Sequence, residues 1–177
     1  MGILVICTGN TCRSPMAEAL LRHHLAVAEH DIDVASAGTL GWNGKSMTPH
    51  VRTVLEERGV TTFEDHASRK LNRDMLDDAD LVVAMTRTHA WAVAAYDPEA
   101  AARTYLLDEL VRLGQQAGPR GGELLGAWIA ELDALRPPDR LARASEEVAD
   151  PAGEDIAVYR RTADRLERSV RRLVPLL

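Results

Sequence analysis

Apolar residues fall in two rhythms along this chain. Short unbroken runs, at 2–7, 33–38, 80–85 and 103–107, have the length and composition of strands buried on both faces. Helical stretches lie between them. One runs from Pro15 to about Ala28 and opens on a proline, whose missing N–H costs nothing in a first turn. A second opens at Thr48-Pro49, with Thr48 as N-cap, and runs to Arg58 before Gly59. The strongest period closes the chain: Ile156, Tyr159, Ala163, Leu166, Val170 and Leu173 recur three and four residues apart, one apolar stripe on a helix whose other faces are rich in arginine. The alternation predicts an α/β protein with a parallel sheet of about four strands and helices on both faces. Ligands of such sheets lie beyond the carboxyl ends of the strands.

The 177 residues suit one domain over 1–177, with an atypical insertion around 112–149. Inside that insertion Leu125, Trp128, Leu132 and Leu135 keep helical spacing between Gly118-Pro-Arg-Gly-Gly122 and Pro137-Pro138. A short amphipathic helix between two joints is expected there, as extra packing or as a lid.

Composition narrows the class. Hydrophobic residues make up 46 % and charged residues 27 %, as in ordinary globular proteins, and no apolar run could span a membrane. The run at 3–6 is too short for a signal sequence and no basic residue precedes it. Net charge of −6 weighs against a nucleic-acid partner. The two cysteines, Cys7 and Cys12, lie too close together for a secreted disulfide framework, so a reducing, cytoplasmic setting is expected. Six histidines show no metal spacing, and neither metal nor cofactor is expected. Interleaved acids make the arginine-rich last helix read as a mixed-charge solvated face. A monomer is favoured.

The informative chemistry is Cys7-Thr8-Gly9-Asn10-Thr11-Cys12-Arg13-Ser14-Pro15, between a buried strand and a helix. Backbone N–H groups of such a loop converge, and the helix N-terminus adds positive potential, which together make an anion site of phosphate dimensions. Gly9 is expected to make the sharp turn. Arg13 offers a planar fork for two phosphate oxygens. Cysteines at helix N-termini are thiolate-prone, and Cys7 sits at the mouth of the cradle, placed to attack a bound phosphoryl group and form a phosphocysteine. Ser14 can donate to its sulfur. Asp150-Pro151 either opens the last helix as a cap or serves this loop.

The loop Cys-x5-Arg-Ser-Pro resembles the low-molecular-weight protein phosphatases. So do Ser36-Ala37-Gly38, the strand at 80–85 and Asp150-Pro151, over nearly the whole chain outside 110–149. The resemblance implies a flavodoxin-like three-layer sandwich with strand order 2-1-3-4 and a hydrolase that needs no metal or cofactor. It implies Cys7 as nucleophile, Arg13 as phosphate clamp and Ser14 as thiolate donor. Asp150 becomes the general acid that protonates the leaving group and then activates water. The phosphate loop is Thr8, Gly9, Asn10, Thr11, Cys12 and Ser14, with Asn10, Ser36 and His66 bracing it from behind. Cys7 and Cys12 form a redox pair able to close a reversible disulfide.

Within that family, residues 8–20 are similar to the bacterial protein arginine phosphatases, in which the threonine matching Thr11 is the selectivity residue. A hydroxyl and one methyl leave room for a planar guanidinium and offer it a polar contact. The residues after Asp150, Pro151-Ala152-Gly153-Glu154, include no aromatic, and Trp42 is expected to supply a wall to the substrate pocket. Phosphorylated proteins are the expected partners, with phosphoarginine first and phosphotyrosine as the alternative. Arsenate reduction with a small-molecule thiol is more remote, since no relay cysteine exists beyond Cys12, and a binder without turnover would have no use for both a nucleophile and an acid.

Overall fold

The computed structural model describes residues 2–63, 65–122, 124–137 and 142–177. Four strands, β1 Gly2–Cys7, β2 Asp33–Gly38, β3 Leu81–Ala84 and β4 Thr104–Leu106, pair in parallel in the order β2-β1-β3-β4. Seven α-helices are described: α1 Arg13–Val27, α2 Pro49–Glu56, α3 Arg73–Asp77, α4 Arg87–Tyr96, α5 Leu107–Ala117, α6 Leu125–Ala134 and α7 Ile156–Leu173. Alternate strand residues face opposite layers, as the pleat requires. Ile3, Val5, Leu81, Val83 and Tyr105 join the core under α1, α5 and α7, whereas Leu4, Ile6 and Val82 pack with Leu76 of α3 and Val93 of α4. This is the expected three-layer sandwich with strand order 2-1-3-4.

The chain leaves β1 for β2 on one side and reaches β3 on the other, so the strand order reverses between β1 and β3. Loops at such a reversal diverge and leave a crevice at the carboxyl ends. The loop 8–12 and the turn 85–86 occupy it.

Three local expectations are corrected. Thr48 stands at the N-cap of α2, but its side chain caps nothing; its hydroxyl lies 3.5 Å from Cys12 Sγ. The left-handed residue of the loop after β1 is Asn10, with φ of +53°, and not Gly9. The start of the insertion expected around 112–149 belongs to α5, whose buried Leu110, Val111 and Leu113 continue the core. Helix α6 forms where its spacing predicted it and is packing rather than a lid. Trp128 and Leu132 are fully buried, Trp128 Nε1 donates to Gly118 O at 3.0 Å, and Tyr105 of β4 donates its hydroxyl to Ile129 O at 3.2 Å. Of the two expected joints, Pro138 lies outside the described residues.

Candidate active site

The loop after β1 is held open by its neighbours. Thr39 N donates to Cys7 O and Leu40 N to Thr8 O, so the end of β2 runs alongside it. Gly38 makes that approach possible: a Cβ there would lie 2.6 Å from Thr8 O and 3.0 Å from Asn10 N, nearer than atoms tolerate. Helix α1 begins at Arg13 with no side-chain cap, which leaves its first N–H groups to face the cradle.

Asn10 organises what lies behind. A left-handed backbone costs an asparagine little when its side chain bonds locally. Its Nδ2 donates to Ser14 Oγ at 3.0 Å and to Ser36 Oγ at 2.7 Å, and its Oδ1 accepts from Arg69 N at 2.8 Å. Its carbonyl accepts from His66 Nε2 at 2.9 Å. Burial holds His66 below the usual histidine range, against the pull of the Asn10 carbonyl and of Glu18. Ser36 passes its own hydrogen to Glu18 Oε2 at 2.5 Å, and Arg22 neutralises that carboxylate at 2.8 Å.

Ser14 Oγ accepts from Asn10 and lies 2.9 Å from Cys7 Sγ. Its hydrogen has two acceptors in reach, Cys7 Sγ and, farther off at 3.5 Å, Ala37 O. Asn10 N adds a second donor to Cys7 Sγ at 3.3 Å. Two donors aimed at one sulfur suit a negative charge there.

Arg13 is 4 % exposed and reaches over the same loop. Nη1 donates to Val148 O at 3.1 Å and Nη2 to Asp150 Oδ2 at 2.5 Å, while Nε is buried with no partner among the described residues, which leaves it to donate to an oxyanion. Asp150 does not cap the last helix: Asp155 does, accepting from Val158 N. That releases Asp150, whose Oδ1 is steadied by Ala152 N at 3.2 Å. A carboxylate, a guanidinium and a thiol thus converge on one cradle from parts of the sequence 137 residues apart.

Two contributors escaped the sequence reading. His89 opens α4 and bonds through Nε2 to Thr8 Oγ1 at 2.9 Å and through Nδ1 to Thr86 Oγ1 at 2.8 Å. Burial, aided by the Arg13 charge, drops its pKa to about 4, so it is neutral near pH 7. Thr8 Oγ1 also accepts from Arg13 Nη2 at 3.4 Å, which makes His89 a prop for the loop from the β3 side. Glu18 is the other, the carboxylate at the end of the Asn10 network. A histidine three residues after Thr86 and a glutamate in a helix carry no signal until the sheet brings them to the loop.

The other expected residues lie nearby. Thr11 Oγ1 comes within 3.5 Å of the position a Gly9 Cβ would take, and Thr11 O accepts from Thr48 N. Cys7 and Cys12 are both free thiols; Cys12 Sγ lies 3.7 Å from Tyr159 Oη, and burial raises the pKa of that phenol. Trp42 is exposed on the loop after β2, with Lys45 Nζ 4.0 Å above its ring. A cavity of about 790 Å³ opens beside Glu18 and His66, lined by none of Cys7, Arg13 and Asp150. Among the described residues no His, Cys, Asp and Glu cluster could hold a metal, and no helix is long and apolar enough to cross a membrane.

A strand–loop–helix cradle with a thiol at its floor and an arginine folded over it, at the strand-order reversal of a parallel sheet, defines a cysteine phosphatase site. Residues 2–117 match the family model described as low molecular weight phosphotyrosine protein phosphatase. The chain is 33 % identical to a protein-arginine-phosphatase of Geobacillus stearothermophilus over 99 % of its own length and 95 % of the relative's. It is 39 % identical to the low molecular weight protein-tyrosine-phosphatase Etp of Escherichia coli, over 60 % of this chain and 69 % of that one. Among solved structures, a YwlE arginine phosphatase mutant with phosphorylated active site serine superposes with a TM-score of 0.75 at 30 % identity, covering 98 % of this chain and 93 % of the other. The chain belongs to the low molecular weight phosphotyrosine protein phosphatase family and is a hydrolase of that class.

Proposed function

We propose that this protein removes the phosphoryl group from phosphoarginine side chains of proteins through a phosphocysteine intermediate on Cys7. The observation that carries the reading is the converged set of Cys7, Ser14, Arg13 and Asp150. The phosphoryl oxygens sit among the loop N–H groups and the Arg13 fork. Cys7 Sγ attacks phosphorus opposite the guanidine nitrogen, the P–N bond breaks, and Asp150 delivers a proton to that nitrogen. Guanidine is a strongly basic leaving group, so the proton matters more than it would for a phenol. A water deprotonated by Asp150 then attacks the phosphocysteine. Orthophosphate leaves, and Ser14 and Asn10 receive the negative charge on sulfur.

Three features favour arginine over tyrosine. Thr11 offers a hydroxyl and little bulk at the loop rim. Residues 152–155 beyond Asp150 are exposed and supply two acids. The likeness to a protein-arginine-phosphatase runs the length of both chains. The tyrosine reading draws on exposed Trp42, but Lys45 already covers one face of that ring. A reducing cytoplasm suits a nucleophile that must stay a free thiol.

Intact-mass analysis of Cys7→Ser protein after mixing with a phosphoarginine peptide tests the covalent step. A phosphoryl adduct mapped to position 7 is expected, formed faster than from the matched phosphotyrosine peptide. An adduct mapped elsewhere, or turnover retained by Cys7→Ala protein, would remove Cys7 from the reaction.

A further inference from the structure

The last helix carries a charge pattern that the phosphatase site does not use. In sequence its arginines and acids interleave, but in the fold they separate onto two faces. Toward α2 and α1, Arg160 pairs with Glu57, Asp164 with Arg58, and Glu167 with Arg58, His24 and Arg171. The acids are consumed there. On the other face Arg165, Arg168 and Arg172 follow one another at spacings of three and four and point away from that network.

These three meet Arg112 of α5 and Arg143, just before the 3₁₀ turn Ala144–Glu146, around a pocket of about 460 Å³. Only two carboxylates belong to its lining, and both are engaged. Glu146 holds Arg112 at 2.6 Å; Asp108 holds Arg165 at 2.8 Å and accepts from Ser169. Arg172 has only an uncharged partner, Gln115 Oε1 at 2.8 Å. Among the described residues Arg143, Arg168 and Arg172 have no carboxylate partner. Five guanidiniums against two carboxylates leave three positive charges at one concavity of a protein whose net charge is −6. Like charges held together cost energy that only an anion relieves, and guanidinium forks bind oxyanions in preference to water.

We propose that this pocket is a second anion site, distinct from the loop after β1, that takes a compact anion of about three charges built from linked phosphate groups. Its volume exceeds what one orthophosphate needs. One wall, Arg143 to Glu146, continues to Val148 and Asp150, the two residues that hold Arg13.

Calorimetric titration with pyrophosphate at low ionic strength tests the site, with folding of each variant checked by its Tm. Binding should survive in Arg13→Ala, which cripples the loop. It should weaken about tenfold or more in the exposed pair Arg143→Ser with Arg168→Ser, as expected for lost charge-assisted contacts. Arg172→Gln serves as a milder second variant with a smaller loss. Binding abolished by Arg13→Ala would assign the anion to the loop alone and overturn the proposal. Binding unchanged in the arginine variants, or absent from Arg13→Ala protein, would overturn it too. Since the readout is affinity and not turnover, the outcome is independent of the phosphoarginine reading.

Discussion

Ser14 stands between Asn10 and the thiol. Asn10 Nδ2 donates to Ser14 Oγ, that hydroxyl lies 2.9 Å from Cys7 Sγ, and removing it leaves one donor, Asn10 N, on the sulfur. Ser14→Ala should lower kcat about a hundredfold with KM little changed, as for loss of one preorganised donor to a developing charge; steady-state assays on a small aryl phosphate check this. His89 predicts a pH effect on stability. Its pKa falls from 6.5 to about 4 on folding, so the unfolded chain takes the proton first. The contribution is complete above pH 6.5 and is lost as pH falls through the window down to about 4, by at most about 1.4 kcal/mol per pH unit. Thermal melts across that window should show the Tm of His89→Gln less acid-sensitive than that of the native protein. Cys7, Arg13 and Ser14 were legible because their relation is local, fixed by spacing within one turn. His89 and Glu18 were not, since each acts across the sheet on residues 81 and 18 positions away.

Elements set where that turn can lie. The end of β2 presses against the loop so closely that Gly38→Ala must displace Thr8 O or Asn10 N, both backbone. Phosphate affinity, followed by competitive inhibition with orthophosphate, should fall at least tenfold while Tm moves only a few degrees, because the strain falls on the loop rather than the core. Helix α6 behaves in the opposite way. Trp128→Ala would empty a fully buried site beneath Gly114 and Leu176 and cost about 3–5 kcal/mol, read by denaturant titration, with catalysis per folded molecule unchanged. Strand positions were readable from unbroken apolar runs, and β1 and β2 match residue for residue. Strand β4 shrank to three residues because Pro98–Arg103 and α5 take over at either side. The helix at 125–134 was legible from its spacing, but its role was not: whether an apolar stripe seals a core or swings as a lid depends on where it docks.

At the scale of the whole molecule, the strand order brings together loops from distant stretches of chain, and Asp150 reaches Arg13 only because residues 143–150 return across the end of β3, where Val148 N donates to Met85 O. The sheet order and the partnership of Asp150 with the loop were legible only through family resemblance, since nothing local in an Asp-Pro pair separates a helix cap from a general acid. The same return path borders the arginine pocket, whose charge is invisible in a sequence that alternates acids and bases. Substrate choice is read from the ratio of kcat/KM for matched phosphoarginine and phosphotyrosine peptides, with Cys7→Ala as the blank and Thr11→Ile alongside. A clear preference for phosphoarginine is expected, relaxed toward tyrosine in Thr11→Ile. Preference for phosphotyrosine, unmoved by Thr11→Ile, would contradict it.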